Sequence, residues 1–390
     1  MKWISVVFAF FAASLLALPA QAALSTTAEH ALLMDGDGQV LWAKDAYVPM
    51  PPASMSKLMT IDLLFSRLKD GRVHLTDKFP VSETAWKTGG SKMFVSVGSQ
   101  VPVEDLIRGI IIQSGNDACV VVAEALGGTV DGFVAMMNKR AKELGLTQSH
   151  FVNPDGLPDP PGQLMSALDL AKLARHLITA YPEYYHYFGE RSFMWNGINQ
   201  PNRDMVLEKL DGADGLKTGH TDASGYGIVA SAKRGDQRYI LVLNGLRYPD
   251  LAKDSPQRQD WFAERRRSDE AARILGLAFR EFRKYRLVGA NDIVGRAPVW
   301  QGTADEVPLT TGKPLSVTLP VESHAKMKMS VSFQGPVKAP IAKGQQIGTM
   351  TVTAPDFPVM KVPVYAANSV DRAGIFGRIF LGIRHMITGH

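Results

Sequence analysis

Cysteine is almost absent: Cys119 stands alone in 390 residues. An internal disulfide is therefore excluded, and the fold must rest on its buried core. Cys119 sits in the apolar run "NDACVVVAEAL" and reads as a packing residue. Histidine is sparse too. The nine are scattered with no His-Glu-x-x-His pair, which speaks against metal catalysis. No glycine-rich phosphate loop or dinucleotide fingerprint stands out, so no cofactor is expected. The interior has no apolar run long enough to span a membrane, and no repeat or low-complexity block. The net charge of +5 is a modest excess. The basic cluster Arg265 to Arg267 lacks a nucleic-acid motif around it, so no nucleic-acid partner is expected. An acidic polymer or membrane surface outside the cytoplasm suits the charge better.

What is present begins with "MKWISVVFAFFAASLLALPAQA". Lys2, an apolar run from Trp3 to Leu18 and Ala20-Gln21-Ala22 have the layout of a secretory signal peptide. Residues 1–22 are expected to be removed, with the exported chain starting near Ala23.

Residues 23–280 alternate strand and helix patterns. "AEHALLMDGDGQVLWAKDA" reads as two strands around a turn, and Ser54 to Leu68 as a helix entered from Pro51-Pro52. "VEDLIRGIIIQSGNDACVVVAEALGG" reads as two helices with a polar interruption at Ser114 to Asp117. "ASGYGIVASAKRGDQRYILVLNGL" reads as a hairpin of buried strands. The expected class is α/β (α+β): helices packed on an antiparallel sheet. Residues 281–370 are rich in Val, Thr, Pro and Gly and read as a small all-β sandwich domain. In "KMKMSVSF", Met327, Met329, Val331 and Phe333 alternate with polar residues. In the tail, residues 371–390, Ile375, Phe376, Ile379, Phe380, Ile383, Met386 and Ile387 share one helical arc, with Arg378 and Arg384 outside it. That is the pattern of an amphipathic helix lying on a membrane surface.

Ser-x-x-Lys occurs three times, at Ser54/Lys57, Ser66/Lys69 and Ser323/Lys326. Ser323/Lys326 falls at the edge of an exposed strand face and is given no chemistry. Ser66 lies deep in the helix that Ser54 opens, where leucines claim the packed face. Ser54 stands where a hydroxyl can face a cleft and backbone N–H groups are free. Ser114-Gly115-Asn116 and Lys217-Thr218-Gly219 follow in order. A serine hydroxyl needs a base within reach, and Lys57 shares its helical face. Lysine acts as a base only when neutral, which calls for desolvation and a cationic neighbour. Lys217 is the candidate neighbour. Ser114 can pass a proton to a leaving amine, and Asn116 can hold Lys57 and the substrate backbone. The backbone N–H groups of Ser54 and His220 are placed to receive an oxyanion.

The three motifs in this order are the signature of serine penicillin-binding proteins and β-lactamases. Together with "LIRGIIIQSGNDACV", "DGLKTGHTDASGY", "GGSKMFVSVG" and the β-rich second domain, the chain closely resembles the low-molecular-mass penicillin-binding proteins of the D-alanyl-D-alanine carboxypeptidase family. The resemblance implies a penicillin-binding, β-lactamase-like transpeptidase fold. It also implies a periplasmic enzyme held at the outer face of the cytoplasmic membrane. Such an enzyme removes the terminal D-alanine from the peptidoglycan stem pentapeptide and is acylated by β-lactams. It maps the nucleophile onto Ser54, the base onto Lys57 and the second element onto Ser114 and Asn116. Lys217 and Thr218 match the binders of the terminal carboxylate, and His220 follows them. A further family arginine matches Arg267, with Arg265 and Arg266 as alternatives because extra residues separate Leu246 from Arg267. Asp155 stands where some relatives have His and reads as a turn residue. A β-lactamase, a D,D-endopeptidase and a non-catalytic peptidoglycan-binding scaffold are the competing readings.

Overall fold

A computed structural model describes residues 24–355 and 357–374. The expected signal peptide and the apolar arc of the tail lie outside the described residues. Residues 371–374 are not helical: Arg372 bridges Gly302, and the Thr303 amide donates to the Asp371 carbonyl.

A five-stranded antiparallel sheet forms the centre of the first unit. Its strands are β1 (His30–Asp35), β2 (Val40–Lys44), β3 (Ala213–Thr221), β4 (Gly225–Arg234) and β5 (Gln237–Leu246), in the order β2-β1-β5-β4-β3. Both faces are covered, and the two-residue period of a strand sorts the side chains between them. Leu32, Met34, Val229, Ile240 and Val242 enter one core; Ala31, Leu33, Ile228, Ala230, Leu241 and Leu243 enter the other. The first core is shared with α1 (Lys57–Lys69), α2 (Val103–Ile111), α3 (Asn116–Gly127), α4 (Val130–Glu143) and α5 (Ala167–Ala180). The second is closed by the long helix α6 (Pro256–Glu281) through Ala271, Ile274, Leu275 and Ala278. Each fully buried aliphatic side chain contributes about 1.5–3 kcal/mol, so a three-layer arrangement needs no disulfide. Cys119 is indeed a buried free thiol, its pKa pushed up to about 12 by desolvation.

β6 (Phe282–Val288) follows α6 directly. The other strands of this second unit are β7 (Gly295–Trp300), β8 (Glu306–Thr310), β9 (Leu315–Pro320), β10 (Lys328–Phe333), β11 (Val337–Lys338), β12 (Gln346–Thr353) and β13 (Met360–Ala366). β6 pairs with β9, and the others form a six-stranded sheet ordered β10-β12-β13-β8-β7-β11. Val307, Leu309, Val352 and Val364 are at its buried centre. Two expectations change here. Met329, on the edge strand β10, is 49% exposed, while Met327, Val331 and Phe333 pack against the core. Ser323 lies in the helical turn Val321–His324 and is buried, not at a strand edge. Thr318 on β9 ties the two units together. Its hydroxyl donates to Asp35 Oδ2 at 2.6 Å, and its carbonyl accepts from Gln39 Nε2 at 2.7 Å.

Candidate active site

The α1 helix begins at Lys57, three residues later than the sequence pattern suggests. Ser54 lies in a single 3-10 turn, Ala53–Ser56, that leads into it. Ala53 is held at φ +48°, a conformation a non-glycine residue adopts at a cost of order 1–3 kcal/mol. Gly156 packs on its carbonyl so closely that a Cβ there would lie 2.1 Å from Ala53 O. On the other side, a Cβ on Gly219 would come to 3.0 Å from Pro52 O. The two glycines let the Asp155 loop and β3 close on the serine turn.

Lys57 is fully buried. Its Nζ lies 2.7 Å from Ser54 Oγ, 2.7 Å from Asn116 Oδ1 and 2.6 Å from the Asp155 carbonyl oxygen. The Asn116 amide is oriented by its other end, where Nδ2 donates to the Gly89 carbonyl at 2.8 Å. Two of the three groups around Nζ are thus pure acceptors, and only Ser54 Oγ–H can act as either donor or acceptor. A neutral amine satisfies both acceptors with its two N–H bonds and turns its lone pair to the serine. Burial lowers the Lys57 pKa, and the nearby Arg203 guanidinium lowers it further, against the carboxylate of Asp155 and that of Asp117. Asp155 is a turn residue as expected, its Oδ1 accepting the Leu157 amide at 3.0 Å, and its carbonyl also fixes the lysine.

The break between α2 and α3 spans 112–115 rather than 114–117. Asn116 and Asp117 form the first turn of α3, and Ser114 is buried with φ +61°. Asp117 accepts the amides of Met93, Phe94 and Val95 at 2.9, 2.9 and 3.1 Å, pinning the 89–98 loop over the cleft. Sequence reasoning missed this role. The acidic residue after Ser-Gly-Asn was its only trace.

Lys217 and Thr218 are buried on β3. Burial and the nearby Lys57 hold the Lys217 pKa well below its ordinary value. Lys57 and Arg203 thus press on Lys217, whereas the cation that presses on Lys57 is Arg203, a role the sequence pattern assigns to Lys217. His220 pairs across the sheet with Tyr226 and stacks on its ring at 3.8 Å, and desolvation lowers its pKa.

Among the three adjacent arginines, Arg267 is 1% exposed and lines the cleft, and its Nη2 donates to the Arg203 carbonyl at 3.3 Å. Its Nε has no hydrogen-bond partner among the described residues. Arg266 pairs with Asp250 at 2.7 Å, and Arg265 packs over the Trp261 ring. Helical periodicity separates them: 267 faces inward where 265 and 266 do not. Ser54, Ser114, Thr218, His220 and Arg267 line one cleft of about 390 Å³. Arg203 also lines it, donating to Ser91 Oγ at 2.9 Å and to Gln113 Oε1 at 3.2 Å. No motif in the sequence marks Arg203. Ser66/Lys69 is elsewhere: Lys69 Nζ donates to the Ala180 carbonyl at the far end of α1. Among the described residues no His, Cys, Asp and Glu cluster could hold a metal ion.

Comparison with known proteins gives the family. Residues 17–246 match the family model of D-alanyl-D-alanine carboxypeptidases, and residues 282–372 match that of the penicillin-binding protein 5 C-terminal domain. The chain belongs to the D-alanyl-D-alanine carboxypeptidase family. It is 36% identical over 365 residues to D-alanyl-D-alanine carboxypeptidase DacC of Escherichia coli, covering 91% of this chain and 87% of that protein. It is 37% identical over 358 residues to DacD of Salmonella typhimurium, covering 89% and 87%. Among solved structures, penicillin-binding protein 5 of Haemophilus influenzae superposes with a TM-score of 0.78 at 33% identity, covering 89% of this chain and 98% of that one. Membership makes the chain a serine-type hydrolase of the penicillin-binding class, with the family's helix–sheet domain and all-β C-terminal domain.

Proposed function

We propose that this family member removes the terminal D-alanine from peptidoglycan stem peptides through an acyl-enzyme on Ser54. The observation that carries the reading is the Lys57 amine, held between two fixed acceptors with one position left for the Ser54 hydroxyl. Neutral Lys57 takes the serine proton as Oγ attacks the carbonyl of the penultimate D-alanine. The oxyanion is received by the backbone N–H groups of Ser54 and His220. Ser114 relays the proton from Lys57 to the departing amine. Lys217, Thr218 and Arg267 bind the terminal carboxylate, and Asn116 orients both Lys57 and the substrate backbone. Water then releases the shortened stem. A β-lactam opens on the same hydroxyl. The chain divides into a signal peptide (1–22), a catalytic domain (23–280), a β-rich domain (281–370) and an amphipathic tail (371–390). The reading places the enzyme in the periplasm, with the tail holding it against the outer face of the cytoplasmic membrane.

Incubating the full chain with a synthetic stem ending in D-Ala-D-Ala and measuring free D-alanine tests this. Release by wild type and none by Ser54→Ala supports the reading. No release alongside rapid turnover of penicillin would instead assign a β-lactamase, and cleavage only of cross-linked stems an endopeptidase.

A further inference from the structure

Residues 247–281 lie between the spans matched by the two family models. Their first part does not leave the active site. A turn at Pro249–Lys253 and the start of α6 wall a groove of about 660 Å³, which shares His220, Tyr226 and Asp260 with the catalytic cleft. We propose that this groove is an extended substrate subsite, in which Asp260 receives a cationic side chain on the residue preceding D-Ala-D-Ala. The proposal rests on the carboxypeptidase reading above and deepens it.

Direction along the cleft follows from two elements that border it. On β3, Lys217 and Thr218 take the terminal carboxylate and the His220 amide takes the scissile carbonyl oxygen, so the acyl side continues toward Asp222. On α6, Arg267 is at the carboxylate end, and Asp260 lies seven residues back, about 10 Å along the axis. Asp260 is joined to the β3 end by Tyr226, whose hydroxyl donates to Asp260 Oδ1 at 2.7 Å while its ring stacks on His220. Both elements therefore run the same way. The shared wall leads to the residue that precedes the two D-alanines, since two extended residues span about 7 Å.

The charges in the groove select the ligand. Asp222 and Asp260 both act on His220, and neither forms a salt bridge among the described residues. Desolvation keeps the His220 ring from adding a competing positive charge at neutral pH. Arg247 also lines the groove, but its guanidinium is spent on Glu29 and on the carbonyls of Asp222 and Ala223. Arg266 pairs with Asp250, and Glu264 lies one helical turn from Asp260 on the side of Arg267. Tyr226 and Tyr248, with ring centroids 5.9 Å apart, continue the wall, but Arg266 already lies over the Tyr248 ring at 5.6 Å and His220 stacks on Tyr226, so the carboxylates and not the rings select the cation. The anion-binding end, with Arg267 buried and its Nε unpartnered, is thus matched by a cation-binding end.

The test uses the full chain and two synthetic acyl-Xaa-D-Ala-D-Ala peptides, with Xaa as lysine or Nε-acetyl-lysine. D-Alanine release gives kcat/KM for each. Asp260 is exposed, so its ion pair is weak, and wild type should favour the free amine by about fivefold. The ratio should fall toward one at about 1 M salt. Asp260→Asn should bring it to about one, and Asp260→Lys should invert it. Because each ratio is internal to one variant, general damage to the enzyme cancels. Equal kcat/KM for both peptides with wild type, or a preference that survives Asp260→Asn, overturns the subsite. If neither peptide releases D-alanine while penicillin still acylates the protein, the carboxypeptidase reading has failed and the subsite falls with it.

Discussion

Replacing Asn116 by Asp puts a carboxylate where a neutral amide oxygen now lies 2.7 Å from Lys57 Nζ. At an effective dielectric of about 20, opposite charges at that distance attract by roughly 6 kcal/mol before desolvation is charged against them. Paired groups in proteins typically shift by about one to three pH units. Acylation requires neutral Lys57, so its rate rises with pH through the lysine pKa. Burial holds that pKa below the ordinary 10.5 in the wild type. Asn116→Asp raises it, so the acid limb should move to higher pH by about one to three units, and acylation on the acid side of the wild-type limb should fall roughly 10- to 1000-fold. Raising the pH should recover much of the loss. The lost donation to Gly89, 2.8 Å in the wild type, lowers the plateau as well. Asn116→Ala provides the contrast. It removes an acceptor, which costs about 1–3 kcal/mol for the unmet N–H and disfavours the ammonium, so its limb should not move upward. Stopped-flow acylation with a chromogenic β-lactam from pH 5 to 10 reads all three proteins. A limb that stays in place in Asn116→Asp, with only the plateau reduced, would refute the neutral-lysine argument.

Arg267→Gln should lower kcat/KM for D-Ala-D-Ala peptides by roughly 30-fold, about 2 kcal/mol for a buried charged donor. Arg266→Gln, whose guanidinium faces Asp250 outside the cleft, should stay within about twofold; the reverse ranking would reassign the carboxylate site. Gly156→Ala puts a Cβ 2.1 Å from Ala53 O at φ +85° and should cost about 2–4 kcal/mol. Thermal unfolding should then show Tm lower by roughly 5–10 °C, and an unchanged Tm would mean that the serine turn is not held by this contact.

The three motifs were legible because each is local: a serine and lysine one turn apart, a polar break between apolar helices, a Lys-Thr-Gly leading into a buried strand. The sheet was legible in the same way, from the short continuous apolar runs in "HALLMD" and "ILVLNGL", each bounded by a turn and buried on both faces. What escaped depends on contacts between distant segments. The pairing of Asp117 with the 93–95 amides, the placement of Arg203 beside Ser91 and the Asp155 carbonyl on Lys57 join residues 22 to 112 positions apart. The start of α1 was misplaced because two prolines and a serine also suit a 3-10 turn, and only packing against Gly156 and Gly219 decides between them. Residue counting left three arginines open, whereas the helical phase of α6 selects Arg267.

The central claim is that Ser54, and no other serine, is the nucleophile that Lys57 activates. Peptide-mapping mass spectrometry after brief exposure to benzylpenicillin tests it most directly. The account predicts one penicilloyl group, on the peptide containing Ser54, lost in Ser54→Ala and formed far more slowly in Lys57→Met. An adduct on Ser66, or one that persists in Ser54→Ala, would contradict it.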